Sequence, residues 1–206
     1  KALGIEVVRL PINLHPMTSG APDFTIDPLL FEFLDSAIDR AEAAGLYIII
    51  DNHTFNPSIP TEPAVEETLH KVWTQIASRY RDRSDRVLYE ILNEPHGISP
   101  KKWAAIQGRV IETIRAVDER HWIVVGGANF NSYHELDRLP KYADDKLLYT
   151  FHFYDPFIFT HQGASWTDPP LTPLAGVPFP PGVSPMPKVP QELRSTWVAG
   201  SLKNYS

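Results

Sequence analysis

The chain is 206 residues long, 43% hydrophobic and 21% charged, with a formal net charge of −6. This is the composition of a globular protein with a sizeable core; no basic cluster rises above the acidic background, which excludes a nucleic-acid surface. The absence of cysteine excludes disulfide scaffolds, thiolate metal sites and cysteine nucleophiles, and no apolar run reaches the roughly 18 residues that span a bilayer.

In chain order, IEVVRLP (5–11) reads as a first strand. A helix follows from Asp27, with Pro28 at its first position, Leu30, Leu34, Ile38 and Ala41 as its inward stripe, and Gly45 at its end. LYIIID (46–51) is the second strand, and Val65, Leu69, Val72, Ile76 and Tyr80 space a second helix. VLYEIL (87–92) is the third strand; the third helix opens at Ser99-Pro100 and carries Trp103, Ile106, Val110, Ile114 and Val117. WIVVGG (122–127) and LLYTFH (147–152) complete the strands. Beyond Tyr154 the pattern dissolves into a proline-rich stretch (170–190), either a disordered linker or a long loop walling a cleft, and residues 191–206 have the makings of a helix.

The strands are mostly continuous apolar runs, as in parallel sheets covered on both faces. Serial βαβ units allow a doubly wound sheet or a (β/α)8 barrel. Gly126-Gly127 lacks the spacing of a dinucleotide fingerprint, whereas polar and aromatic residues follow the strands at their C-terminal ends, where barrel enzymes keep their chemistry. These are Arg9, His53, Asn93 with Glu94, Asn129, and His152 with Tyr154. An ionised carboxylate such as Glu94 at the end of an apolar run is costly unless it meets a partner or an opening in the fold.

Four motifs in order, Arg9-Leu10-Pro11, Asp51-Asn52-His53, Asn93-Glu94-Pro95 and His152-Phe153-Tyr154, resemble glycoside hydrolase family 5, over roughly residues 3 to 166. The resemblance implies an incomplete (β/α)8 TIM barrel in which the strands present are the second to sixth, with the first, seventh and eighth absent. On that reading residues 1–206 are a single catalytic domain cut at both ends, the start at Lys1-Ala2-Leu3-Gly4 lying in mid-pattern.

The resemblance also implies a retaining β-glycanase, most closely an endo-β-1,4-glucanase, with mannanase and β-1,3-glucanase as near relatives. Glu94 would be the general acid/base and Asn93 would bond the sugar 2-hydroxyl. Arg9 and Tyr154 would position the nucleophile, and His53 and His152 would bind sugar hydroxyls or tune the carboxylates. The family's nucleophile is a glutamate at the end of strand seven. Asp155, Asp168 and Glu192, the acidic residues after the His152 motif, lack that context. With no second carboxylate beside it, Glu94 is expected to be ionised and to pair with Arg9 or a histidine. Trp166, Phe130, Phe157 and Phe159 are candidate sugar platforms.

No cofactor or metal is implied. The partner is a β-glucan or related polysaccharide, not a nucleic acid or a membrane, and because such polymers are met outside the cytoplasm the protein is expected to be extracellular or periplasmic. Two other classes remain open: a degenerate, carbohydrate-binding barrel, and a metal-dependent barrel hydrolase with His53, Glu94 and His152 as ligands.

Overall fold

A computed structural model describes residues 4–205 except 55, 57 and 58; the chain start, Lys1 to Leu3, lies outside the described residues. Two compact units divide the chain, one running to His152 and one from Phe153 onward.

The first unit alternates strand and helix. The strands are β1 (Val7–Ile12), β2 (Tyr47–Asn52), β3 (Val87–Glu90), β4 (Trp122–Gly126) and β5 (Leu147–Thr150). Between the first four lie α1 (Pro28–Ala43), α2 (Val65–Tyr80) and α3 (Pro100–Arg115). All four pairings are parallel, in the order β1-β2-β3-β4-β5. A doubly wound sheet reverses its strand order at a switch point; this sheet does not, and its monotonic order is that of a (β/α) barrel wall.

The helix boundaries follow from local chemistry. The Asp27 side chain accepts from Leu29 N at 2.9 Å, and Ser99 accepts from Lys102 N at 3.3 Å, each cap being followed by proline. Gly45, at φ +65°, ends α1 with Leu46 N donating to Ala41 O at 2.9 Å. The α2 cap residue, Ala64, offers no side-chain acceptor; Glu66 and Glu67 in the first turn complement the helix dipole instead. The third helix stops at Arg115, two residues before Val117, which still lies against the core.

Alternate strand residues build the core. Ile48 and Ile50, Val87 and Tyr89, and Ile123 and Val125 join Leu34, Ile38, Trp73, Ile76, Trp103 and Val110 in one buried cluster between sheet and helices. Arg9, Asp51 and Glu90 therefore point to the opposite face. The third strand ends at Glu90 rather than at residue 92, because beyond it the chain leaves regular pairing: Ile91 N reaches Val124 O at only 3.4 Å, and Asn93 N instead donates to Asn52 O at 2.9 Å.

The second unit has its own core of Ile158, Leu171, Leu174, Val177, Val198 and Leu202. The proline-rich stretch is thus anchored by buried apolar side chains and is not a disordered linker. A helix over Trp197–Tyr205 forms, preceded by a 3-10 turn at Gln191–Leu193. Phe157 stacks on His161 with ring centroids 3.7 Å apart, and Phe159 lies against Phe179 at 5.1 Å. Among the described residues no helix is long and apolar enough to cross a membrane.

Candidate active site

Strand register brings three charges together. Asp51 on β2 lies directly opposite Glu90 on β3, and Arg9 of β1 reaches both. Its Nε donates to Glu90 Oε2 at 2.6 Å and its Nη2 to Glu90 Oε1 at 2.8 Å, the planar fork that a guanidinium offers a carboxylate. The same Nη2 lies 3.0 Å from Asp51 Oδ2 and donates to Asn93 Oδ1 at 2.9 Å. His53 Nδ1 lies 2.7 Å from Asp51 Oδ2.

Both carboxylates are buried, so their electrostatics are strong. Burial and the neighbouring charge of Glu90 push Asp51 up to about 6, against the pull of His53 and Arg9. Burial disfavours the Arg9 cation, but its bond to Glu90 and the charges of Glu90, Asp51 and Glu94 outweigh this and hold its pKa above the ordinary guanidinium value. Asn93 is 2% exposed. With its carbonyl oxygen fixed by Arg9, its amide orientation is set before anything binds.

Glu94 follows in the left-handed region at φ +48°, a conformation unusual for a residue with a side chain. Its Oε1 lies 2.6 Å from His152 Nδ1, while Arg9 is occupied by Glu90, Asp51 and Asn93. Of the two partners expected for Glu94, the histidine is the one bonded. His152 is steered there from β4's end: its backbone N donates to Asn131 O at 2.8 Å. Asn129, Phe130 and Asn131 all have positive φ, forming a left-handed turn. The Asn129 side chain is drawn away to Glu135, donating to Oε1 at 2.6 Å.

The two adjacent glycines follow from this turn. A Cβ on Gly126 would strike the Asn131 amide, and one on Gly127 would lie 2.6 Å from Glu135 Cβ.

A cavity of about 660 Å³ opens at the C-terminal ends of β1, β2 and β3, lined among others by His15, Thr54, Thr61, Asn93, Glu94 and His96. Burial drives His15 down to about 4, so it is neutral, and its Nε2 accepts from Asn52 Nδ2 at 3.2 Å. Another hollow, of about 590 Å³, lies against α3 at Ala104, Gly108 and Tyr142, away from every strand-end residue.

Arg9, His53, Asn93, Glu94 and His152 thus share one end of one sheet. The Cellulase (glycosyl hydrolase family 5) description matches residues 1–197. The chain belongs to glycosyl hydrolase family 5. Among curated relatives, endoglucanase H of Acetivibrio thermocellus is 31% identical over 170 residues, covering 79% of this chain and 18% of its own. Endoglucanase C of the same species is 30% identical over 176 residues, covering 80% and 51%. Among solved structures, endoglucanase Cel5A of Thermotoga maritima superposes with a TM-score of 0.75 at 34% identity, over 81% of this chain and 55% of that one. The cellulose synthase subunit Z of Clostridioides difficile superposes at 0.80 with 27% identity, over 99% and 65%. The chain spans about half the length, or less, of the first curated relatives it matches.

Tyr154 and Trp166 fall in the second unit. There Tyr154 lies edge-on to His161 at 5.1 Å, and Trp166 is 68% exposed. Phe130, a candidate sugar platform, has one ring face taken by His96, stacked at 4.5 Å. Glu90 and His96 were missed by sequence reasoning. Glu90 had a signal, a charge inside a buried apolar strand; His96 had none beyond its place after Asn-Glu-Pro.

Proposed function

We propose that this chain carries the general acid/base half of a retaining glycosidase, and that residues 1–206 belong to one catalytic domain whose strands are the second to sixth of the barrel. The supporting observation is Glu94 itself: a carboxyl group at the end of β3, beside a cavity, bonded to His152 and preceded by an Asn93 locked by Arg9. In this reading Glu94 protonates the leaving glycosidic oxygen and later deprotonates the attacking water. A second carboxylate about 5 to 5.5 Å away attacks the anomeric carbon. That nucleophile is assigned to no residue of this chain and is proposed to lie in the part of the family's length not spanned here.

Asn93 holds the sugar 2-hydroxyl, a bond that tightens as the oxocarbenium ion develops. His53, kept in place by Asp51, contacts sugar hydroxyls. By family resemblance alone, Arg9 and Tyr154 orient the nucleophile and Trp166 offers a ring face to sugar. Relatives named endoglucanase, and Cel5A structures with cellobiose and mannotriose, favour a β-1,4-linked glucan as substrate, with mannan as the near alternative. A protein acting on such polymers is proposed to be exported. The metal-hydrolase reading loses its ligand set, since His53 is bonded to Asp51 and Glu94 to His152, and among the described residues no acid and histidine cluster could hold a metal.

The test is Glu94→Gln in the protein that carries this chain. Release of reducing ends from carboxymethyl cellulose should fall at least about 100-fold, the low end of what general acid/base catalysis contributes. Unchanged hydrolysis would remove Glu94 from the mechanism.

A further inference from the structure

We propose that His96, two residues after Glu94, is a positioning residue that holds the acid/base in its left-handed backbone conformation. The inference rests on the reading of Glu94 as acid/base. A left-handed non-glycine residue is strained, and it persists only where its surroundings fix it. Around Glu94 the fixings are identifiable.

Upstream, Asn93 N donates to Asn52 O at 2.9 Å. Downstream, the His96 main chain is held on both sides by Thr61: its N donates to Thr61 Oγ1 at 3.1 Å, and its O accepts from Thr61 N at 2.8 Å. Next in line, Gly97 at φ +67° lies so close to Pro60 that an added Cβ would be 2.5 Å from Pro60 Cβ.

Between these anchors the Glu94 carbonyl takes one side-chain bond, from His96 Nδ1 at 2.9 Å. A carbonyl only accepts, so Nδ1 carries the proton and the tautomer is fixed. The ring that makes this bond is 6% exposed and is immobilised by Phe130, stacked with an interplanar angle of 10°. Phe130 also donates its backbone N to Pro95 O at 3.1 Å. The left-handed turn after β4 therefore clamps the segment twice, once by main chain and once through the His96 ring. His152, which bonds the Glu94 carboxyl, hangs from the same turn through Asn131 O. Backbone and carboxyl of Glu94 are thus referred to one rigid feature. Without the His96 donor the Glu94 carbonyl loses the bond that sets the tilt of the peptide after it, and the carboxyl shifts away from His152.

Two variants of this chain separate the donor from the ring. His96→Phe keeps the stack on Phe130 and removes the donor. His96→Asn keeps a donor N–H at the position of Nδ1 and removes the ring. Nitrogen-15 NMR of His152 reports the bond to Glu94, with Glu94→Ala as the reference in which it cannot form. We expect the His152 Nδ1 resonance in His96→Phe to move to the reference position and in His96→Asn to stay at the parent one, with thermal melts of both near the parent's. A parent-like resonance in a folded His96→Phe overturns the proposal. Should His96→Phe fail to fold, a parent-like resonance in His96→Asn supports it and a displaced one overturns it. Hydrolysis enters neither readout, so this result and that of Glu94→Gln can fail independently.

Discussion

His15 and Asp51 stand at the ends of neighbouring strands and answer to pH in opposite senses. The half-buried His15 imidazole is held down to about 4 from its ordinary 6.5 by desolvation, so the folded state resists protonating it while the unfolded state does not. The stability it contributes is complete above about 6.5 and is lost as pH falls toward 4. Asp51 is raised from 3.8 to about 6, so its contribution is complete below 3.8 and lost as pH rises through 6. Replacing His15 by leucine should remove only the first effect. Between pH 7 and pH 4 the variant is expected to gain on the parent by up to about 3 kcal/mol in denaturant melts, from 1.36 kcal/mol per unit. A difference between variant and parent that is constant with pH would show that folding does not depress His15.

Which single residues were legible in the sequence follows from what a linear pattern can carry. Glu94, His53 and His152 follow the ends of strands, and strand ends are visible as the place where an apolar run stops; Arg9, expected at a strand end, instead lies in the middle of β1 and reaches the site by the length of its side chain. Glu90 and Asp51 as partners of Arg9 are not visible in that way. Their meeting depends on the lateral register of three strands, Asp51 opposite Glu90 with Arg9 reaching across from β1. No spacing along the chain encodes that register.

The elements were legible where their punctuation is local. Asp27-Pro28, Gly45 and Ser99-Pro100 mark helix ends through bonds made within a few residues. Less visible is how helices fix strand ends. Trp73 of α2 donates its indole N–H to Ile91 O at 3.0 Å, and Trp103 of α3 donates to Gly126 O at 2.9 Å, both rings being almost wholly buried. The period placed Trp103 on an inward face but left Trp73 out of the α2 stripe, and it revealed for neither the polar errand at the strand end. Trp103→Phe keeps most of the apolar contact but leaves the Gly126 carbonyl without that donor. It should cost about 1 to 3 kcal/mol, the penalty of an unsatisfied buried group. Trp103→Ala should cost about 3 to 5 kcal/mol by adding a cavity. A Trp103→Phe denaturation curve that matches the parent's while Trp103→Ala loses its full ~3 to 5 kcal/mol would show that packing alone matters.

Taken as a whole, the chain buries apolar residues in two separate clusters, one in each unit. In the first unit β1 and β5 are the outermost strands of the sheet, each pairing with one neighbour among the described residues. Both expose aliphatic side chains, with Val7 50% and Leu148 45% accessible. Exposed strand edges with apolar residues invite edge-to-edge association. Val7→Lys is therefore expected to lower self-association of these 206 residues at high concentration, read by light scattering, while leaving the thermal melt within a few degrees; undiminished association would place the contact elsewhere.

The left-handed backbone at Glu94 bears on how such a protein can drift. Asparagine or glycine occupies that region at less cost than glutamate, so stability alone pulls position 94 away from the residue found there. A barrel that had kept its cleft and lost its chemistry would be released from holding out against that pull. This chain carries an acid at a position where the backbone would prefer something else, which is what the proposed acid/base role of Glu94 requires: a residue kept for its carboxyl group at the expense of stability.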